Sequence, residues 1–143
     1  MPQECLICQR VELSLRGQNP FLIHEYPHSL FVVGDHQFHK GYCVLLLKLH
    51  VRELTDLAPQ AARELFDELM SATRAVQKTF QPWKLNHSCY GNAVPHIHWH
   101  IFPRYESDPD HLTHPWLHAG EFEKRAISPE RARQIAEQVR GNL

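Results

Sequence analysis

The sequence predicts an α+β fold built on an antiparallel sheet. Three observations carry this. Extended segments come first, one long amphipathic helix follows, and extended segments and a final helix close the chain, an order that differs from strict strand–helix alternation. The run Gly41 to His50, "GYCVLLLKLH", contains a continuous apolar stretch and is too short to cross a bilayer, which fits a strand buried on both faces. The 143 residues are enough for one core, so a single domain over residues 1–143 is expected.

Each element has its own signal. "FLIHEYPHSLFVVGD" contains two short strands broken at Pro27, the second over residues 29–33. Gly41 to His50 is the third strand, and "HVRELTDL" turns the chain toward the long helix. Asp56 lies near its N-cap and Pro59 falls early, where a missing N–H costs nothing. Ala62, Leu65, Phe66, Leu69, Thr73, Val76 and Phe80 recur at helical spacing, while Arg63, Glu64, Asp67, Glu68, Arg74 and Lys78 are expected on the polar side. Pro82 ends the helix. "KLNHSCYG" and the His-rich stretch after it are the last strands. Glu106 to Gly120 is expected to be a loop, and "SPERARQIAEQVRGN" a helix with Ser128 as N-cap and Pro129 in its first turn.

Composition narrows the function. Hydrophobic residues make up 43% of the chain and the formal net charge is −1, so there is no basic footprint for nucleic acid. No apolar run reaches membrane-spanning length, and the polar start Met1 to Arg10 lacks a secretory signal core. A cytoplasmic protein without a membrane partner is expected, with its four cysteines outside disulfides. Twelve histidines are the outlier and direct attention to metal or phosphate chemistry.

The densest group is "VPHIHWHIFPRY". In a strand, His96, His98 and His100 would share one face over about 13 Å, with Ile97, Trp99 and Ile101 turned to the core. A neutral imidazole can attack phosphorus and hold the phosphoryl group as a phosphoramidate, while a neighbour donates to the phosphate oxygens or the leaving group. The third histidine can orient the others or ligate a metal.

With its apolar spacers, Gly91 before it and Pro103-Arg104 after it, "GNAVPHIHWHIFPRY" resembles the signature of the histidine triad (HIT) family. The likeness extends from "CLIC" to "DPDHLTHPW" and is nearest the prokaryotic branch of diadenosine tetraphosphate hydrolase-like proteins. It implies a HIT-like fold: a five-stranded antiparallel sheet, one long central helix and a C-terminal helix, assembled as a homodimer. It implies a nucleotide hydrolase that cleaves a phosphoanhydride or phosphoramidate bond at the α-phosphate of a purine nucleotide. His98 would form the nucleotidyl-histidine, and His100 would contact phosphate and assist the leaving group. Asn86, Gly91 and Asn92 fall where relatives hold the α-phosphate, and Asp35 falls near the ribose position. Histidine in place of glutamine at position 100 favours hydrolysis over nucleotidyl transfer. Two departures stand out: Tyr42 follows Gly41 where the family usually has a histidine that reaches the active site, and is expected to bind substrate there and donate through its hydroxyl, and the Asp35 to Tyr42 loop is one residue short. A nucleotide-binding or zinc-stabilised interaction module with weak catalysis is the competing expectation.

Cys5 and Cys8 have C-x-x-C spacing, compatible with zinc, redox chemistry or free thiols. Zinc needs two further ligands, for which His50 and His96 are candidates. The resemblance supports that set, as a structural site. Cys43 and Cys89 read as small core residues. His111, His114 and His118, with Trp116, belong either to a substrate pocket or to a solvated loop. His24, His28, His36 and His39 are expected at the surface, and His87 has no assigned role.

Overall fold

The computed structural model describes residues 4–143; residues 1–3, the start of the polar N-terminal segment, lie outside the described residues. In chain order the elements are α1 (Leu6–Leu15), β1 (Leu22–Glu25), β2 (Ser29–Val33), β3 (Cys43–Leu47), α2 (Pro59–Phe80), β4 (Lys84–Ser88), β5 (His98–Arg104) and α3 (Pro129–Arg140). Short 3-10 segments cover Leu54–Asp56 and Pro115–Arg125. The five strands form one sheet in the order β1-β2-β3-β5-β4, and every neighbouring pair is antiparallel, as expected. Among the described residues, no helix is long and apolar enough to cross a membrane.

Residues paired across strands share a face. Val44 lies opposite His100 and Leu46 opposite His98, while Val32 and Leu30 lie opposite Val44 and Leu46. This face is covered by α1 and the Pro115–Arg125 segment, whose Ile7, Cys8, Val11 and Phe122 are buried against it. The other face carries Phe31, Val33, Cys43, Leu45 and Ile101 against Leu65, Leu69 and Val76 of α2 and Ile135 and Val139 of α3. Both sides of the central strands are therefore covered, and every residue of β2 and β3 is buried. That is the physical source of the unbroken apolar run.

Several local expectations need correction. Residues Leu6–Leu15, read from sequence only as a polar segment bearing C-x-x-C, form helix α1, with Ile7, Cys8, Val11 and Ser14 as its buried stripe at i, i+1, i+4 and i+7. The Glu106 to Gly120 loop gives way at Pro115 to 3-10 turns. Helix α2 starts at Pro59 after Ala58, and Asp56 belongs to the preceding 3-10 turn. Phe66 is 57% exposed despite its apolar character. Glu68 is buried rather than solvated, because it accepts from the His28 backbone N–H at 2.9 Å and the Ser29 hydroxyl at 2.5 Å, satisfying the turn between β1 and β2. Helix α3 keeps its expected cap: the Ser128 hydroxyl oxygen accepts from the Arg131 N–H at 3.2 Å.

His36 and His39 also depart from their expected surface positions. His39 is only 1% exposed and packs edge-on against Phe102. His36 is stacked between Tyr42 and Phe122, with ring centroids 4.5 and 4.1 Å away. Burial, reinforced by His39, lowers the His36 pKa to about 4. An unfolded chain binds a proton at this position below about pH 6.5, while the folded chain resists it until about pH 4, so stability falls across that interval on acidification. His36→Phe keeps the stack and removes the titration. Urea unfolding should show the variant losing about 1–2 kcal/mol less than wild type between pH 6.5 and pH 5. Equal losses would show that His36 is not held neutral.

Candidate active site and metal cluster

The three histidines of the motif do not share one strand face. Strand β5 begins at His98, so His98 and His100 line the face covered by α1, while His96 lies in the bend before the strand and is fully buried. The bend is held by backbone bonds from Ile97 N–H to the Val51 carbonyl and from Leu47 N–H to the Ile97 carbonyl, at 2.9 and 3.2 Å. Ile97 and Ile101 are buried in the opposite core, and Trp99 packs against it, as the alternation predicts.

Each of these imidazoles has a fixed partner. His96 Nε2–H donates to the Leu47 carbonyl at 2.7 Å, which leaves its Nδ1 lone pair free. His98 Nδ1–H donates to the His96 carbonyl at 2.6 Å, which leaves its Nε2 lone pair free. His100 Nδ1 lies 2.6 Å from the Tyr42 hydroxyl. The His98 and His100 rings are 4.8 Å apart, and the Trp116 ring meets His100 edge-on at 4.8 Å. Burial, and then the neighbouring His98, lower the His100 pKa to about 3, so this ring is uncharged near neutral pH. A free lone pair on one ring beside a second neutral ring suits nucleophilic attack assisted by a proton donor.

The pocket at this pair is lined by Ile7, Val32, Val44 and Leu46, together with Arg10, Asp35, His36 and Tyr42. Asp35 is held there by a forked ion pair, with Arg10 Nη1 and Nη2 at 2.5 and 2.8 Å from its two oxygens. Among the described residues, Asn86, Gly91 and Asn92 fall outside this lining. Asn86 shares the face of His98 and His100, opposite Phe102, but its Oδ1 accepts from Arg104 Nη1 at 3.0 Å. Gly91 and Asn92 form the turn between β4 and β5, and the Gly91 φ of +67° is left-handed backbone that favours glycine.

Arg104, only 1% exposed, ties the following loop to the sheet through the Thr113 and Asp110 carbonyls at 2.7 and 3.3 Å. Trp116 Nε1–H donates to the Ser88 hydroxyl oxygen at 3.0 Å, and so the segment is held against His100. Trp116 is the loop's contact with the triad. His118 pairs with Asp110 at 3.1 Å, His111 meets Trp83 edge-on, and His114 lines a separate cavity along β4. His87 takes a structural place, with Nε2 2.9 Å from the Thr73 hydroxyl.

The sequence candidates for metal converge. Cys5, Cys8, His50 and His96 bring their ligand atoms within 4.8 Å of one another. C-x-x-C at the start of α1 puts Cys5 at the N-cap and Cys8 one turn on, so both thiols emerge on one side. Cys5 Sγ and Cys8 Sγ lie 3.4 and 3.5 Å from His96 Nδ1, Cys8 Sγ lies 3.2 Å from His50 Nδ1, and the two Nδ1 atoms are 3.2 Å apart. A tetrahedral zinc with bonds of about 2.0–2.3 Å separates its ligand atoms by about 3.3–3.8 Å. The Leu47 carbonyl on His96 Nε2 is the outer hydrogen bond that a ligating imidazole requires. Burial and the adjacent Cys5 thiol raise the Cys8 pKa to about 11, the effect expected of two thiols crowded together without a cation.

Sequence reasoning missed Arg10, His36 and the apolar residues of α1 as parts of this site. The signal for the α1 residues lies in "CLICQRVEL", whose apolar residues recur at helical spacing. Arg10 was not separable from a solvated arginine until α1 had been placed over the sheet.

Known proteins resemble the chain over most of its length. The protein named hit of Bacillus subtilis (strain 168) is 25% identical over 108 residues, covering 72% of each chain. A histidine triad protein from Sinorhizobium meliloti 1021 has the same fold, with a TM-score of 0.75 and 20% identity over 91% of this chain and 94% of that one. A zinc-bound histidine triad family protein from Mycobacterium smegmatis matches with a TM-score of 0.67 and 21% identity over 96% of this chain and 94% of that one. The model of the HIT domain matches residues 16–107, which hold β1 to β5, the His98–His100 pair and the bend that turns His96 inward, and the chain therefore belongs to the HIT domain family.

Proposed function

We propose that the chain is a nucleotidyl hydrolase acting at the α-phosphate of a purine nucleotide. The observation that carries this reading is the hydrogen bond from His98 Nδ1–H to the His96 carbonyl, because it presents the unprotonated Nε2 beside neutral His100. His98 Nε2 attacks the α-phosphorus, a P–N bond forms, and the P–O bond to the leaving group breaks. Neutral His100 donates a hydrogen bond from its N–H to the departing phosphate oxygen, which leaves as an anion. Water then attacks the same phosphorus and releases one proton to solvent, the P–N bond breaks, and a nucleoside monophosphate leaves with His98 restored. The apolar lining of Ile7, Val32, Val44 and Leu46 suits a base, and Asp35 suits ribose hydroxyls once Arg10 yields or shares it. A dinucleoside polyphosphate of the diadenosine tetraphosphate type is the preferred substrate, and adenylyl sulfate and nucleoside phosphoramidates present the same reacting phosphate. The site works in the cytoplasm on this reading. Product release should be measured across these three substrate types. His98→Ala should lose on the order of a thousandfold or more in turnover while retaining nucleotide affinity. Wild-type turnover in that variant would remove the assignment.

The Cys5, Cys8, His50 and His96 cluster supports a bound zinc with a structural role. Four protein ligands leave no open coordination position, so the metal would fix the start of α1 and the His96 bend rather than activate water. The same cluster favours a second reading, a zinc-stabilised nucleotide-binding module with weak catalysis; absence of turnover in a zinc-loaded, nucleotide-binding protein would select it. Elemental analysis should give about one zinc per chain. The double variant Cys5→Ser, Cys8→Ser should lose the metal and melt more than about 5 °C lower, with turnover of the folded fraction reduced about tenfold or less. Folded, metal-free protein with turnover abolished would make the metal catalytic.

A symmetric homodimer completes the proposal. Strand β4 lies at the sheet edge, and Trp83 beside it and Phe66 on α2 are 50% and 57% exposed. Light scattering at micromolar concentration should give about twice the 16.7 kDa chain mass. A fully active monomer would contradict the assembly.

A further inference from the structure

Tyr42 is the buried group beside the reacting pair for which phosphate chemistry alone gives no reason. Its ring lies between His36 and Phe102, with centroids 4.5 and 4.4 Å away and the Phe102 plane within 6° of parallel. Its edge rests on Gly34, where an added Cβ would fall 2.1 to 2.8 Å from ring carbons, so residue 34 is kept bare to admit it. The ring is thereby fixed on three sides, and the hydroxyl is delivered 2.6 Å from His100 Nδ1. Among the described residues, that nitrogen is the only hydrogen-bond partner of the hydroxyl.

We propose that Tyr42 is a positioning residue that holds His100 in the tautomer protonated at Nε2, by donating its hydroxyl proton to Nδ1. The alternative bond, from His100 Nδ1–H to the phenol oxygen, would leave the phenol proton buried without an acceptor, at a cost comparable to a lost hydrogen bond. Burial also raises the Tyr42 pKa, so the phenol keeps its proton. Neutral imidazole carries one proton. With Nδ1 accepting, the proton resides on Nε2, and His100 offers a donor to the pocket that it lines with His98. His98 is fixed in the reverse sense by the His96 carbonyl and offers a lone pair. The two chemically identical side chains are thus assigned opposite tasks by their partners. The kinetic part of this inference rests on the proposed nucleotidyl hydrolysis; the tautomer itself does not.

The test uses full-length, zinc-replete protein labelled with 15N-histidine, with His100 assigned by its loss in His100→Gln. Long-range 1H–15N spectra of wild type should show a pyridine-type Nδ1, displaced as an accepting lone pair is, and a pyrrole-type Nε2. Tyr42→Phe preserves the stack on His36 and Phe102 and removes only the hydroxyl. In that variant the displacement of Nδ1 should vanish and an Nδ1–H form should appear. With diadenosine tetraphosphate as the probe, kcat should fall at least about tenfold while KM stays within about twofold, because the donor acts on the leaving group. A pyrrole-type Nδ1 in wild type, or an unchanged Nδ1 signal in Tyr42→Phe, would overturn the proposal, as would unchanged kcat with a shifted tautomer. If wild type turns over none of the nucleotide panel, the spectra still decide the tautomer and only the hydrolase reading fails.

Discussion

The site depends on one constraint: each imidazole of the motif has one nitrogen occupied by a fixed partner and the other left for its task. The Leu47 carbonyl fills His96 Nε2, the His96 carbonyl fills His98 Nδ1, and the Tyr42 hydroxyl fills His100 Nδ1. These partners act at hydrogen-bond distances of 2.6 to 2.7 Å. Imidazole has two nitrogens of nearly equal basicity, so without such partners three neighbouring histidines would exchange tautomers and share roles. The backbone path from Leu47 through the His96 bend into β5 provides two of the three partners. A shift in that path would disturb both the Cys5, Cys8, His50 and His96 cluster and the His98 side chain.

The sheet explains how this path is kept rigid. Its two faces carry different burdens: α2 and α3 form the larger apolar core, and α1 with the Pro115–Arg125 segment closes over the histidines. Helix α1 serves three purposes within ten residues. Its start carries Cys5 and Cys8, its inner stripe lines the pocket through Ile7, and Arg10 grips Asp35. Loss of order at the N-terminus would therefore reach the pocket and the ligand cluster together. Through α1 the ligand cluster and the pocket are therefore coupled.

Much of this architecture was legible in the sequence. The long helix and the buried strands announced themselves through periodicity and an unbroken apolar run, and C-x-x-C with His50 and His96 converged as the ligand count required. What was hidden depended on contacts distant in sequence. Glu68 reads as a solvated helix residue until the His28–Ser29 turn is laid against it. His96 reads as one of three equivalent strand histidines, because period-two alternation gives no sign that the strand begins two residues later. Tyr42 reads as a substitution at a family position until Gly34, Phe102 and His100 are seen around it. The pairing of Arg10 with Asp35 spans 25 residues and two elements, so local pattern could not show it.

The division of labour proposed for His98 and His100 is tested most directly by trapping the covalent intermediate. Protein mixed with excess diadenosine tetraphosphate should be quenched within the first turnover into alkali, where a phosphoramidate survives, then digested and examined by mass spectrometry. The account predicts one nucleoside monophosphoryl group on the peptide containing His98, located at that side chain by fragmentation. Rapid turnover with no adduct, or an adduct on His100, would contradict it.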